Sequence, residues 1–468
     1  MGLLGVMIFV PLYLQAGAWQ AGFGDQGWYT LSTNSSTLLA GWRGAIWIHG
    51  MAALPWVVGI VGIGFKLVEP ELEEQALLDG SARQVFFRVS LPAALPAVGV
   101  AALWVAVITA GEMTVTDLLS IRTYAEEVYT QAAATASELD AAGTSVMLGV
   151  VVTALLVIGG WAACFGLSPS RRPLSLPRHW IFRLGRRRFL YFLAAGFLFL
   201  LMVGVPLGSL VYKAGVVVAQ TDAGRVRSFS TAKCLEIICL APENFRRELG
   251  WSLLIGVLSA TAAVLTAIPL AWMARKKDTS RNFQFAICNL QFAIILLIIA
   301  VLLALPGPIL GIAIIRLLNQ PQLPGLVWLY DHSILAPWLA VYLRSLPIVT
   351  LIMWHALQTV PKELLESAMV DGAGPIVRLW RVALPMRLPA AGVAWLAALA
   401  ISLGDLSASI LVVPPGVTTL SIRIFGLLHY GVEDQVAGIC LAMILIFAAL
   451  AASALYLAKR TGRAIKTE

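Results

Sequence analysis

Long apolar runs separated by short polar segments fill the chain from end to end. In the second half they predict six helices with the roughly 20 residues a bilayer crossing needs. These are Phe189–Tyr212, Trp251–Ala274, Phe285–Ile315, Ser333–Leu357, Leu388–Val412 and Val436–Ala458. The first half predicts four, of which Gly2–Leu14 is short and Trp42–Val68, Ala93–Val115 and Ser145–Leu167 are full length. None of the runs alternates as a barrel strand does, so the predicted fold class is an all-α membrane protein of about 4 + 6 transmembrane helices.

Two polar interruptions share one plan. Pro361–Pro389 predicts an amphipathic helix over Lys362–Asp371, its apolar side made of Leu364, Leu365, Ala368 and Met369. Gly372 follows as a left-handed stop, and a basic segment returns to apolar sequence through Leu384-Pro385. Pro70–Pro96 repeats the pattern at an offset of 292 before the turn (Glu74 to Glu366) and 293 after it (Pro92 to Pro385). The first copy is therefore one residue short in its turn. Outward, Leu54-Pro55 pairs with Leu346-Pro347 and Gly111-Glu112 with Gly404-Asp405. The chain reads as two homologous bundles, each with a polar hairpin too charged for lipid. Phe9-Val10-Pro11 resembles Leu303–Pro306, which two further spans precede, so the first bundle is expected to be truncated at its N-terminus. Ala16-Gly17-Ala18 leaves a signal-peptide reading open.

Composition agrees with a membrane chain: 468 residues, 59% hydrophobic, 12% charged, mean hydropathy +0.85. The net charge of +8 reads as Lys and Arg anchoring cytoplasmic ends, with no nucleic-acid partner implied. Arg171–Arg188 holds seven Arg and no acid, and is the strongest cytoplasmic marker. It divides the chain into a first domain at 1–168, a basic linker at 169–188 and a second domain at 189–468. Counting spans from that linker puts Arg275–Arg281, both hairpins and the C-terminal tail on the same, cytoplasmic side. Cys164, Cys288 and Cys440 read as inert core, and a disulfide between Cys234 and Cys239 stays open.

The hairpins resemble the EAA loops of permease subunits in binding-protein-dependent ABC importers, where Glu-Ala-Ala, three residues, Gly and a Leu-Pro-like end form the signature. Here the loops lie at 69–92 and 361–385. The first has Glu74-Gln75-Ala76, Asp79-Gly80 and Leu91-Pro92; the second has Glu366-Ser367-Ala368, Asp371-Gly372 and Leu384-Pro385. Neither has Ala at the second position. The resemblance implies that each loop is a coupling helix seated in an ATPase subunit. It implies two partners, a dimer of ATP-binding-cassette ATPases and a periplasmic or lipid-anchored solute-binding protein, around a chain in the bacterial inner membrane. Fused two-half permeases of this kind resemble iron(III) importers first and thiamine importers second, with another small solute or oxyanion as the alternative. An ion-coupled secondary transporter is the alternative class.

Glu112 and Asp405 each follow Gly near the outer end of a span. A carboxylate at mid-membrane costs about 2.5–3.5 kcal/mol, and such acids face cavities or are paired. They are candidate pathway-lining residues, with Arg344 a candidate partner of Asp405. His355 reads as a packed residue, and His49, His332 and His429 show no metal-ligand spacing. Gly59–Lys66 lacks the Gly-Lys-Ser/Thr of a phosphate loop, so ATP is expected on a separate chain. No catalytic, cofactor or metal site is read from the sequence, and no enzyme activity is expected.

Overall fold

The computed structural model describes residues 2–134, 188–221, 224–275 and 297–464, together with 185, 294 and 295. The expected span Ser145–Leu167, the linker 169–188 apart from 185 and 188, Cys164 and Cys288 lie outside the described residues.

In the first half, Gly2–Phe9 (α1) and Leu12–Phe23 (α2) are one apolar run broken at Pro11, so the expected Gly2–Leu14 element is two helices. Proline has no N–H to continue a helical ladder. Gly41–Leu67 (α3) leads to the short helix Pro70–Asp79 (α4). Ala82–Ala110 (α5) follows, and then Thr114–Leu118 (α6) and Tyr124–Ala134 (α7). The expected span Ala93–Val115 stops at Ala110 because Gly111 and Glu112 turn the chain.

The second half opens with Arg188–Gly215 (α8) and a two-stranded antiparallel ribbon, Val216–Thr221 (β1) and Gly224–Phe229 (β2), with Val216 opposite Phe229. Its consecutive valines favour strand. Thr231–Asn244 (α9) carries Cys234, buried, and Cys239, exposed, and both thiols are free. Arg246–Met273 (α10) comes next. Leu297–Ala304 (α11) and Gly307–Leu318 (α12) meet at 107° around Pro306, so the expected straight Phe285–Ile315 span is bent. Leu335–Gln358 (α13), Lys362–Val370 (α14), Pro375–Met386 (α15) and Leu388–Gly404 (α16) form the second hairpin and its flanking spans. The expected Leu388–Val412 span ends at Gly404. Leu420–Leu428 (α17) and Asp434–Ala464 (α18) complete the chain.

Among the described residues six helices are long and apolar enough to cross a membrane, or eight if each bent pair counts as one span. The protein is an all-α multi-pass membrane protein, with one small two-stranded ribbon among the described residues. Its core lies in the second half, where α10, α13 and α16 pack on one another and α18 packs on α16. Ala260, Ala263, Ala267 and Ala271 form one fully buried stripe of α10, and Ala394 and Ala398 form its counterpart on α16. Small side chains let helix backbones approach closely, which is how contacts are gained where lipid removes the hydrophobic drive. In the first half α3 and α5 pair. The halves interlock, since α1 and α2 pack on α18 and α2 on α8, while α12 packs on α7.

Candidate coupling and pathway sites

Both hairpins are built alike from their sequences. A proline precedes or opens each short helix, Pro70 at the start of α4 and Pro361 just before α14. Helix α14 ends in a Schellman motif: Ala373 N–H donates to Ala368 O (2.9 Å), Gly372 N–H to Met369 O (3.0 Å), and Gly372 has φ +80°. The first hairpin closes otherwise. Gly80 is extended at φ −150°, and Ser81 starts the return helix with a capping box, its N–H donating to Gln84 Oε1 (3.0 Å). This is how the first copy turns with one residue fewer.

In each return segment a π turn precedes Leu-Pro, at Phe86–Ser90 and at Leu379–Ala383. The N–H groups of Leu91 and Leu384 reach back to Phe86 O and Leu379 O. The wider turn accommodates Pro92 and Pro385, which have no N–H to donate and whose rings crowd the fourth carbonyl back.

Glu74, Asp79, Glu366, Asp371, Gly372, Pro92 and Pro385 are exposed; Ala76, Ala368, Gly80 and Leu91 are half-buried; Leu384 is buried. The expected ridge divides. Leu365 points inward at 5% exposed, while Leu364, Met369 and Val370 face outward with Val370 85% exposed. Leu72 and Leu78 do the same on α4. The inward positions differ in chemistry. Glu73 is fully buried and accepts a 2.6 Å hydrogen bond from Ser90 Oγ, whereas the second copy has Leu365 and Ala383 at the matching places. The copies also differ in continuity: α5 runs unbroken through Ala94, while α15 and α16 meet at 81° beside Arg387, whose Nη2 donates to Thr359 O. Sequence reading passed over Glu73 and Arg387. Aligning the copies position by position exposes both, as a charge standing where the other copy has an apolar residue.

The second site lies between the halves. A β-carbon on Gly404 would stand 2.7 Å from Pro11 Cγ, and one on Gly111 would stand 3.4 Å from Pro306 Cα. The glycine before each acid thus faces the proline break of the opposite half. Glu112 Oε1 accepts from Thr114 N–H (2.7 Å) and Oε2 from Val115 N–H (3.1 Å). Asp405 Oδ2 accepts from Ser409 N–H (3.2 Å), and its carbonyl accepts from Ser421 Oγ (2.9 Å). Each acid therefore turns the chain after its span.

Each also meets a basic group from its own half. His49 Nε2 lies 3.4 Å from Glu112 Oε2, and Arg344 Nε lies 4.0 Å from Asp405 Oδ1. In repeat register Arg344 aligns with Ala52, so the two basic residues sit one helical turn apart. His49 escaped sequence reasoning. Its one legible signal is the spacing i, i+3 to Ala52, on the face that carries Arg344 in the other half. His355 is exposed on α13, not packed as expected.

A cavity of about 140 Å³ opens between the halves, lined by Trp56 and Trp104 of the first and Leu305, Arg344, Ile348 and Ile401 of the second. The two indoles are 5.1 Å apart at 50°. Arg344 Nη1 donates to Leu305 O (2.9 Å). The three candidate pathway residues are thus unequally placed: the side chains of Glu112 and Asp405 are 12% and 4% exposed, that of Arg344 25%.

Residues 259–467 match the family model described as "Binding-protein-dependent transport system inner membrane component". The putrescine transport system permease protein PotI of Escherichia coli K12 is 28% identical over 201 residues, 42% of this chain and 66% of the relative. The spermidine/putrescine transport system permease protein PotC of Haemophilus influenzae is 34% identical over 105 residues, covering 22% and 41%. The sn-glycerol-3-phosphate transport system permease protein UgpA of Escherichia coli O157:H7 is 49% identical over 39 residues, covering 8% and 13%. The chain spans just under two thirds of PotI and less than half of the others. The family match falls on the second half of the chain.

Proposed function

We propose that this chain is the membrane-spanning permease of an ABC importer and carries two permease domains, 1–168 and 189–468, on one polypeptide. The observation that carries the reading is the pair of hairpins. Each has a short polar helix with exposed apolar side chains, a turn at a glycine, a π turn and a Leu-Pro joint to a span, in one order and at an offset of 292 before the turn and 293 after it. Exposed leucine, methionine and valine on a charged hairpin suit a groove in a soluble partner. In this reading Glu74, Ala76, Asp79, Gly80, Leu91 and Pro92, with Glu366, Ala368, Asp371, Gly372, Leu384 and Pro385, couple to a dimer of ATPase subunits in the cytosol. ATP-driven closure of that dimer swings the halves, and a solute-binding protein delivers cargo on the far side. Glu112, Asp405 and Arg344 line or brace the path between the halves.

Iron(III), the cargo suggested by resemblance, has no counterpart among the relatives named above, whose names concern polyamines and a sugar-alcohol phosphate. We favour a small organic solute. The test is co-purification of an ATPase subunit with the chain. Binding lost in Gly372→Arg and in Glu366→Lys supports the importer. Binding that survives both, with uptake following an ion gradient instead of ATP, favours a secondary transporter.

A further inference from the structure

The cavity between the halves offers donors and no free carboxylate. Arg344 is the one charged residue among the described residues that line it. The guanidinium has five N–H groups, of which one goes to Leu305 O, while its buried neighbour Asp405 stands 4.0 Å from Nε. Trp104 also lines the cavity, and among the described residues its buried indole N–H has no protein acceptor. The acids nearby are committed elsewhere. Glu112 has both oxygens on backbone N–H groups, and Asp405 has Oδ2 on Ser409 N–H. The remaining walls are apolar, with two indole faces.

We infer that the cavity is a solute subsite for a small organic anion, a phosphate ester or phosphonate, whose oxygens accept from Arg344 and Trp104 while its carbon body lies on Trp56 and Trp104. This rests on the importer reading and narrows it to a charge class. A planar fork of N–H donors suits phosphoryl oxygens. A diamine would instead need an open carboxylate, and the cavity presents none.

The test is isothermal titration of the full chain in lipid nanodiscs with glycerol phosphate and, separately, putrescine. Glycerol phosphate is expected to bind and putrescine not to bind. Arg344→Gln should weaken glycerol phosphate roughly tenfold to a hundredfold, the loss of one charge-assisted bond, and Arg344→Lys should retain part of the affinity. Arg344→Gln leaves Asp405 without its partner, so the neutral pair Arg344→Gln/Asp405→Asn serves as the second variant and should show the same loss. Trp104→Phe, which removes the indole N–H together with the ring that carries it and keeps an aromatic face, should weaken binding with a monodisperse particle. Preference for putrescine, binding of neither solute, or unchanged glycerol phosphate affinity in the two Gln variants overturns the inference. The same particles are assayed for ATPase association. If association persists while the anion fails to bind, the charge class is wrong and the importer stands; if association itself fails, the importer reading falls first.

Discussion

Pro11 lies against Gly404 so closely that no side chain fits between them, and Pro306 faces Gly111 more loosely with the halves exchanged. The tighter contact sets the first expectation. Gly404→Ala places a methyl 2.7 Å from a rigid ring and should cost about 1–3 kcal/mol, the usual range for overpacking. Gly111→Ala meets Pro306 at 3.4 Å, an ordinary contact, and should cost less. Thermal unfolding of the two variants in one detergent ranks them, and equal midpoints would contradict the reciprocal fit.

Asp405 is buried with Arg344 as its counter-charge. Removing one member of a buried pair costs about 3–5 kcal/mol, whereas removing both is far cheaper. Asp405→Ala also frees Ser409 N–H, so Arg344→Ala is the cleaner single change. We expect Arg344→Ala to be less stable than Arg344→Ala/Asp405→Ala by the same thermal assay.

Glu73 and Ser90 brace the first hairpin where Leu365 and Ala383 brace the second. Ser90→Ala leaves the buried carboxylate short of a donor, at about 1–3 kcal/mol. Glu73→Leu/Ser90→Ala installs the apolar pair that the other copy already uses, and should recover most of that loss. ATPase co-purification should follow the same order.

His429 on the turn after α17 lies 3.3 Å from Asp117 on α6, joining the halves outside the spans. The hydrogen bond to Asp117 is the main influence holding its pKa above the ordinary 6.5, with the Phe425 carbonyl adding to it. The protonated form is therefore favoured by folding, so the bond's contribution is complete below pH 6.5 and is lost as pH rises through the raised value. Wild type should lose stability relative to Asp117→Asn as pH goes from 6 to 8.5. Parallel pH profiles of the two proteins would exclude the link.

Much of this was legible because periodicity and internal repetition are local signals. Glu366, Gly372 and Leu384-Pro385 announce a hairpin wherever the chain places it, and Gly111-Glu112 with Gly404-Asp405 marks corresponding ends of two spans. Straight spans were overestimated where hydropathy stays high through a turn. Phe285–Ile315 and Leu388–Val412 are mostly apolar, yet Pro306 and the Asp405 carboxylate turn the chain inside them. What could not be read is what meets across the halves. Pro11 and Gly404 are 393 positions apart, and a histidine such as His49 shows its partner only once α3 and α5 lie side by side. The ribbon Val216–Phe229 was missed because six residues of strand next to a long helix leave little period to detect.

The reciprocal seating of Pro11 and Pro306 also bears on why one polypeptide suffices. Each half holds the other's kink, and neither hold runs through the peptide between residues 169 and 188. A protease nick there should leave two fragments that still migrate as one particle, held by these seats and not by the covalent tether.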